Sequence, residues 1–229
     1  MGVGDKQKAS VGHRLISTKY PSIALFDDVA SPEEFEILYA IQSMTNPRLL
    51  DEAGDISLLD RSDIPFDCKR GRSYAVAPFT HVNPSGGRFN DGLFGALYLA
   101  STDQTAALEV KHHQQKYWQN IEGLAYDRFL FRGLLITHKS SPVYIVDSSN
   151  AAILHPDDYS ASQQLARHLK KDGYLAVEYP SVRLESGICW ALFTPKPVCD
   201  VVQSYLLEMI WDGKKIAEVN KVNHMVDEL

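Results

Sequence analysis

An α+β fold is predicted by three features of this chain. Short apolar, strand-like runs are mixed with amphipathic helical stretches, and the two do not alternate in the rhythm of a doubly wound parallel sheet. The 229 residues, 45% hydrophobic and 23% charged, can bury a sizeable core in one ordinary globular domain. Internal repeats and low-complexity segments are absent, which argues against a solenoid or a fibrous chain.

The elements follow in order. Residues 1–12 read as a loose polar tail, and His13-Arg14-Leu15-Ile16 as a short strand. Ser31-Pro32-Glu33-Glu34 is a helix start: a side chain to cap free amides, a proline suited to the first turn, and acids at the positive end of the helix dipole. That helix should end before Asn46-Pro47, because the residue before proline resists the α conformation. Residues 50–72 are turn-rich and charged and read as a long connection. Tyr74–Thr80 is expected as a strand. Asn83-Pro84 and Gly86-Gly87 break the chain into a loop, and Leu93–Ala100 follows as a buried strand with Ala96, Tyr98 and Ala100 on one face. Ser101 and Gln104 have capping-box spacing, so a helix should run from Asp103 to about Trp118, with Ala106, Ala107, Val110 and Tyr117 as its apolar stripe. Glu109 and His113, four apart, share a face of it. Arg128–Ile136 and Pro142–Asp147 are strand candidates. A helix from Ser160 or Ser162 to Lys171 stops at Asp172-Gly173, and Tyr174–Glu178 and Cys189–Thr194 are further strands. Beyond Asp200 the apolar spacing of Ile216, Val219 and Val222 predicts a helical tail broken near Asp212-Gly213.

Composition excludes several classes of function. A net charge of −6 disfavours a direct nucleic-acid binder, which needs clustered Lys and Arg. The three cysteines, Cys68, Cys189 and Cys199, are odd in number and form no C-x-x-C pair, so free thiols in a reducing compartment are expected, with neither a disulfide framework nor a zinc site. The polar start lacks the apolar region of a signal peptide, and no run reaches the roughly 18 apolar residues of a membrane span. The expected location is the cytoplasm.

Chemistry concentrates between residues 79 and 113. A glycine loop presents Arg88, the next strand presents Tyr98, and the next helix presents Glu109. Successive elements are usually neighbours in space, so a cation, a phenol and a carboxylate should meet at one junction. Arg offers a fork that matches phosphate oxygens, and Gly86 and Gly87 let backbone approach a ligand. Tyr98 could stack or donate. Glu109 could stabilise a developing positive charge or act as a base. Each residue type also has a plainer reading, as surface loop, core and solvated helix face. No H-E-x-x-H, G-x-S-x-G, Walker or G-x-G-x-x-G motif occurs, and no metal site is expected.

The run Gly86-Gly87-Arg88-Phe89-Asn90, then Gly92, Leu97-Tyr98, Ala106-Ala107-Leu108-Glu109 and His113, resembles the core of the RES domain, a family named for an Arg, a Glu and a Ser. Pro180-Ser181 supplies the serine, with Ser186 as the alternative. The resemblance covers about residues 72–200, with a fainter match at His13-Arg14-Leu15-Ile16, and implies an extended member: residues 1–71 as an extension packed on the domain, 72–200 as the core and 201–229 as the tail. It implies a fold like that of ADP-ribosylating toxins, a split and mainly antiparallel sheet with flanking helices and an NAD cleft. It further implies a toxin whose partner is an Xre-type antitoxin. Glu109, Arg88, Tyr98 and Ser181 would be catalytic, and Arg88, Phe89, Asn90, Tyr98, His113 and Ser181 would hold NAD, the substrate. The expected reaction is cleavage of the nicotinamide–ribose bond by water or phosphate. The alternatives are transfer of ADP-ribose to a protein and a nucleotide-binding module without catalysis. The extension and the tail could cover the cleft, form a homodimer or bind the antitoxin.

Overall fold

Alternating burial along the extended segments builds one eight-stranded sheet, in the order β4-β5-β6-β2-β1-β3-β7-β8. The computed structural model describes residues 9–20, 27, 31, 33, 34, 37, 40 and 54–222. Its strands are β1 (Ser10–Ser17), β2 (Leu97–Ala100), β3 (Asp127–His138), β4 (Val143–Ile145), β5 (Ala176–Pro180), β6 (Ile188–Leu192), β7 (Val198–Trp211) and β8 (Ile216–Val222), and its helices are α1 (Arg72–Thr80), α2 (Asp103–Gln119) and α3 (Ser160–Lys171). Every strand pairing is antiparallel except β4 with β5.

The sheet has two wings. β1 pairs with β3 along its whole length, Ser10↔His138 to Ser17↔Phe131, but meets β2 only at His13↔Ala100. Gly12 permits this crossing: a Cβ there would stand 2.8 Å from Leu99 Cβ. The two halves of the sheet are therefore joined at this point by a single residue pair. β1, from the first 71 residues, is an interior strand of the sheet.

A core lies on each face. On one, α2 and α3 cover Phe89, Phe131, Tyr179, Cys189, Tyr205, Met209 and Trp211. On the other, α1 and the 3-10 turns Ile56–Leu58 and Arg61–Asp63 cover Leu97, Leu99, Leu134, Ile136, Leu192 and Val201. The charged segment after residue 54 is thus ordered by its own sequence. Asp55 and Asp60 cap the two turns by accepting the Ser57 and Ser62 amides, while Ile56, Leu59 and Ile64 are buried.

Four expectations are corrected. Tyr74–Thr80 is helical: burial of Arg72, Ser73, Ala75, Val76, Phe79 and Thr80 has helical spacing, and Pro78 lies inside the helix, where it removes one i→i−4 hydrogen bond. The cap of α2 is Thr102, whose hydroxyl accepts the Thr105 amide at 3.1 Å, while Ser101 Oγ accepts the Ile188 amide at 3.2 Å and ties β6 in place. Within the expected stripe of α2, Tyr117 is exposed and Trp118 is buried. The helical tail is the β7–β8 hairpin, because Tyr205, Leu207, Met209 and Trp211 are buried at the two-residue period of a strand and β8 pairs with β7 from Val222 to Ile216. The predicted break at Asp212-Gly213 is its turn. The expected helix from Ser31 to Asn46 falls largely outside the described residues. Where described, Glu33, Glu34, Ile37 and Ala40 are helical, and Ser31 Oγ accepts the Glu34 amide at 3.2 Å.

Candidate active site

A cavity of about 250 Å³ opens beside the β1–β2 pair, lined by β1, β2, β6, the glycine loop and α2. The loop's shape comes from its sequence. Gly86 has φ +67°, and a Cβ on Gly87 would stand 2.7 Å from the Tyr98 hydroxyl, so neither position accepts a larger residue without movement. The Gly87 amide donates to Asn90 O at 2.7 Å and closes the turn. Tyr98 then locks it: its hydroxyl donates to Asn90 Oδ1 at 2.7 Å and accepts the Phe89 amide at 2.8 Å. Asn90 Nδ2 donates to Phe94 O, and Gln163 reaches in from α3 to Gly87 O.

This arrangement aims Arg88 at the cavity. The residue is only 7% exposed, and its Nη1 donates to His155 O at 2.7 Å and Ile153 O at 3.2 Å. The Tyr159 ring lies 4.6 Å from the guanidinium carbon, a cation–π contact. Phe89 points the other way, fully buried with its ring 4.7 Å from that of Tyr179, and Asn90 is buried in the turn. Both shape the loop and neither lines the cavity. Tyr98 does line it. Burial drives its phenol pKa well above the ordinary value, so it stays a neutral donor.

Glu109 projects from the second turn of α2 into the same space. Ser181, just after β5, donates to Glu109 Oε1 at 2.6 Å. The proton's direction is fixed by the other contacts: Ser181 Oγ accepts the Arg183 and Leu184 amides, each at 3.1 Å, so its own hydrogen is left for the carboxylate. Cys189 Sγ is 3.9 Å from the same oxygen, a weak third contact. Burial and the nearby Glu109 push that thiol up to about 12, so it remains protonated. Ser186 is exposed, with φ 63°, and its hydroxyl donates to Glu185 O, so of the two candidate serines it is Ser181 that meets Glu109. His113, one turn beyond Glu109, stands at the cavity's solvent-facing edge. Partial burial lowers its pKa, Glu109 raises it, and Arg183 and Arg88 lower it further.

The structure adds residues to those expected from the sequence. Arg14, on β1, lines the cavity, donates from Nη1 to Tyr98 O at 3.2 Å and has a buried Nε without a hydrogen-bond partner. Burial brings its pKa down to about 10, still cationic at neutral pH. Tyr159, Tyr179 and Cys189 complete the wall. Neither Arg14 nor Arg88 has a carboxylate partner among the described residues. Arg88, buried, and Arg14, half-buried, thus share one cavity with one carboxylate, neither of them ion-paired among the described residues. Buried cations without ion pairs are costly unless an anion completes them, so the cavity is suited to an anionic ligand with an electropositive centre near Glu109.

The family model described as RES domain matches residues 64–212. The uncharacterized protein y4oC of Sinorhizobium fredii (strain NBRC 101917 / NGR234) is 37% identical over 210 residues, which cover 90% of this chain and 84% of that protein. Among solved structures, a chain of the M. tuberculosis MbcT–MbcA toxin–antitoxin complex is similar over 61% of this chain and 73% of its own, at 16% identity and a TM-score of 0.39. The matched span holds the glycine loop, α2, the Ser181 loop and β7, and on that basis the chain belongs to the RES-domain family.

Proposed function

We propose that this chain binds NAD in the cavity and breaks the bond between nicotinamide and ribose, as the toxin of a toxin–antitoxin pair. The observation that carries the reading is the Ser181–Glu109 hydrogen bond in the wall of a cavity that two unpaired guanidinium groups also line. The pyrophosphate would lie against Arg88 and Arg14, whose forks match phosphate oxygens. At about 250 Å³ the cavity takes the nicotinamide riboside end, with the remainder of the dinucleotide along the opening. The bonding pair leaves with nicotinamide, and the ribose carbon becomes cationic. Glu109, held in one orientation by Ser181, stabilises that charge as it develops. An oxygen of water or phosphate then forms the new bond, and water gives up its proton. Tyr98 keeps the glycine loop in shape and offers its ring to the nicotinamide riboside, and His113 borders the mouth.

The single β1–β2 pair supports placing the fold with the split sheets of ADP-ribosylating toxins. The family supports an Xre-type antitoxin as partner. Free thiols at Cys68, Cys189 and Cys199 fit a cytoplasmic protein, and among the described residues no helix is long and apolar enough to cross a membrane.

The test is NAD consumption by the purified chain and by Glu109→Gln, with and without inorganic phosphate, following nicotinamide and the ADP-ribose products. Nicotinamide release by the wild type, reduced at least about a hundredfold in Glu109→Gln, is expected. Phosphate dependence separates phosphorolysis from hydrolysis. No release under either condition overturns the reading and leaves a transferase awaiting a protein acceptor, or a binding module.

A further inference from the structure

Between β4 and α3 the chain crosses the Arg88 side of the cavity as a strap, residues 153–159. The strap is tied down at several points. Ile153 O and His155 O take Arg88 Nη1. His155 Nδ1 accepts the Asp157 and Asp158 amides, at 3.2 and 2.8 Å, which folds the strap into a tight turn. Lys116 of α2 pairs with the Asp157 carboxylate, and His112 Nε2 lies 3.7 Å from it. The Tyr159 ring ends the strap, stacked on Arg88.

The remaining tie comes from the opposite wall. Arg183 Nη2 donates to Pro156 O at 2.5 Å, and the Arg183 amide donates to Ser181 Oγ at 3.1 Å. One residue therefore touches both the strap that orients Arg88 and the hydroxyl that orients Glu109. The Lys116–Asp157 pair is exposed, with side chains 54% and 55% accessible, and such a pair holds weakly. The Arg183 contact is a charged donor on a carbonyl, stronger than a neutral hydrogen bond, and its backbone end is anchored.

We propose that Arg183 is a positioning residue, which ties the strap holding Arg88 to the loop holding Glu109, so that the phosphate-facing and ribose-facing ends of the cavity keep a fixed spacing. A ligand that must touch both ends gains from that spacing, because a shift of about 1 Å in a reacting geometry can cost up to about a hundredfold in rate. The structural half of the proposal stands on the contacts alone. Its kinetic half rests on the reading of the cavity as an NAD site.

The experiment uses the full chain as wild type, Arg183→Ala and Arg183→Lys, with amide hydrogen exchange first. In Arg183→Ala the Asp157 and Asp158 amides on one side, and the Leu184 amide on the other, should exchange about tenfold faster or more, while the strands of the sheet keep their protection. Arg183→Lys, which keeps a cation able to reach Pro156 O, should restore part of it. Unchanged exchange, or loosening on one side only, overturns the coupling whatever the chain does with NAD. In the kinetic arm, Arg183→Ala should raise KM for NAD about tenfold with a smaller change in kcat, and Arg183→Lys should recover part of the loss. An unchanged KM overturns the positioning role. Coupled loosening in a chain whose wild type leaves NAD intact upholds the coupling and overturns the NAD reading instead.

Discussion

Ser181 acts on Glu109 through a single proton. Two backbone amides already occupy its oxygen, so the hydroxyl hydrogen is left for Glu109, and among the described residues Glu109 Oε1 keeps only the distant Cys189 thiol if that hydrogen is removed. Ser181→Ala should therefore lower turnover by about tenfold to a hundredfold, less than Glu109→Gln does, since the carboxylate charge survives but its orientation does not. Steady-state rates of the two variants at saturating NAD decide it, and a larger loss in Ser181→Ala would assign the serine a direct role on substrate. On the NAD reading, Arg88 serves binding. Arg88→Ala should weaken NAD by about 1.5–3 kcal/mol, the range for a hydrogen bond to a charged group, read by calorimetry in a Glu109→Gln background to prevent turnover. These residues were legible in the sequence because each sits in a compact local signal: two glycines before Arg88, a strand around Tyr98, a helix carrying Glu109 and His113, a Pro-Ser turn at 181. Arg14 was not legible as a site residue. Its place beside Tyr98 depends on β1 reaching between β2 and β3, and nothing local to residues 13–16 encodes pairings more than eighty residues away. Tyr159 was hidden for the same reason, since the strap meets Arg88 only in three dimensions.

At the scale of elements, the sequence separates helix from strand well where one face is clearly apolar and poorly where burial is two-sided. α2 and α3 were legible because a polar face remains. α1 was not: residues 72–80 carry Tyr, Val, Phe and Thr, which favour strands, yet burial recurs at helical spacing as the segment packs into the second core. In β8 the three-residue spacing of Ile216, Val219 and Val222 imitates a helical stripe, and pairing with β7 overrides it. β7 itself carries a bulge: Gly133 faces Tyr205 while Leu134 faces Gln203, which leaves Ser204 over. The extra residue moves burial from Val201 on one core to Tyr205 on the other. Gly133 is the counterpart that makes room, because a Cβ there would stand 2.2 Å from the Tyr205 ring. Gly133→Ala should destabilise the fold by about 1–3 kcal/mol through overpacking, and Gly133→Ala with Tyr205→Leu should regain part of that. Chemical denaturation of both variants is the check, and full stability in the single variant would show that the ring shifts at little cost.

For the whole molecule, the sheet joins two environments that respond differently to acid. The cavity side keeps solvent access at His113, whereas the opposite core closes over His138, which is 2% exposed. His138 bonds Ser140 Oγ through Nδ1 at 2.7 Å, packs edge-on against Trp190 and leaves Nε2 buried without a hydrogen-bond partner. Burial pushes its pKa down to about 4, with Glu178 opposing the shift. An unfolded chain takes up this proton below about 6.5 while the native chain refuses it, so protons favour unfolding as the pH falls. The stability present above about 6.5 should decline through that window and level off near 4, by about 3 kcal/mol from this one group. His112, also lowered to about 4 but more open to solvent, adds a smaller share. The aspartates engaged by cations, Asp91, Asp103 and Asp157, have pKa values below the ordinary carboxylate and titrate lower still, so they do not account for a loss above pH 4.5. Urea denaturation of the wild type and His138→Gln between pH 4.5 and 7 measures the effect. Gln cannot take the proton, so its curve should be flatter across the window even if its stability at neutral pH is lower. Parallel curves would mean that the imidazole is reached by water in the native state, and that this core is open where its packing leaves no visible path.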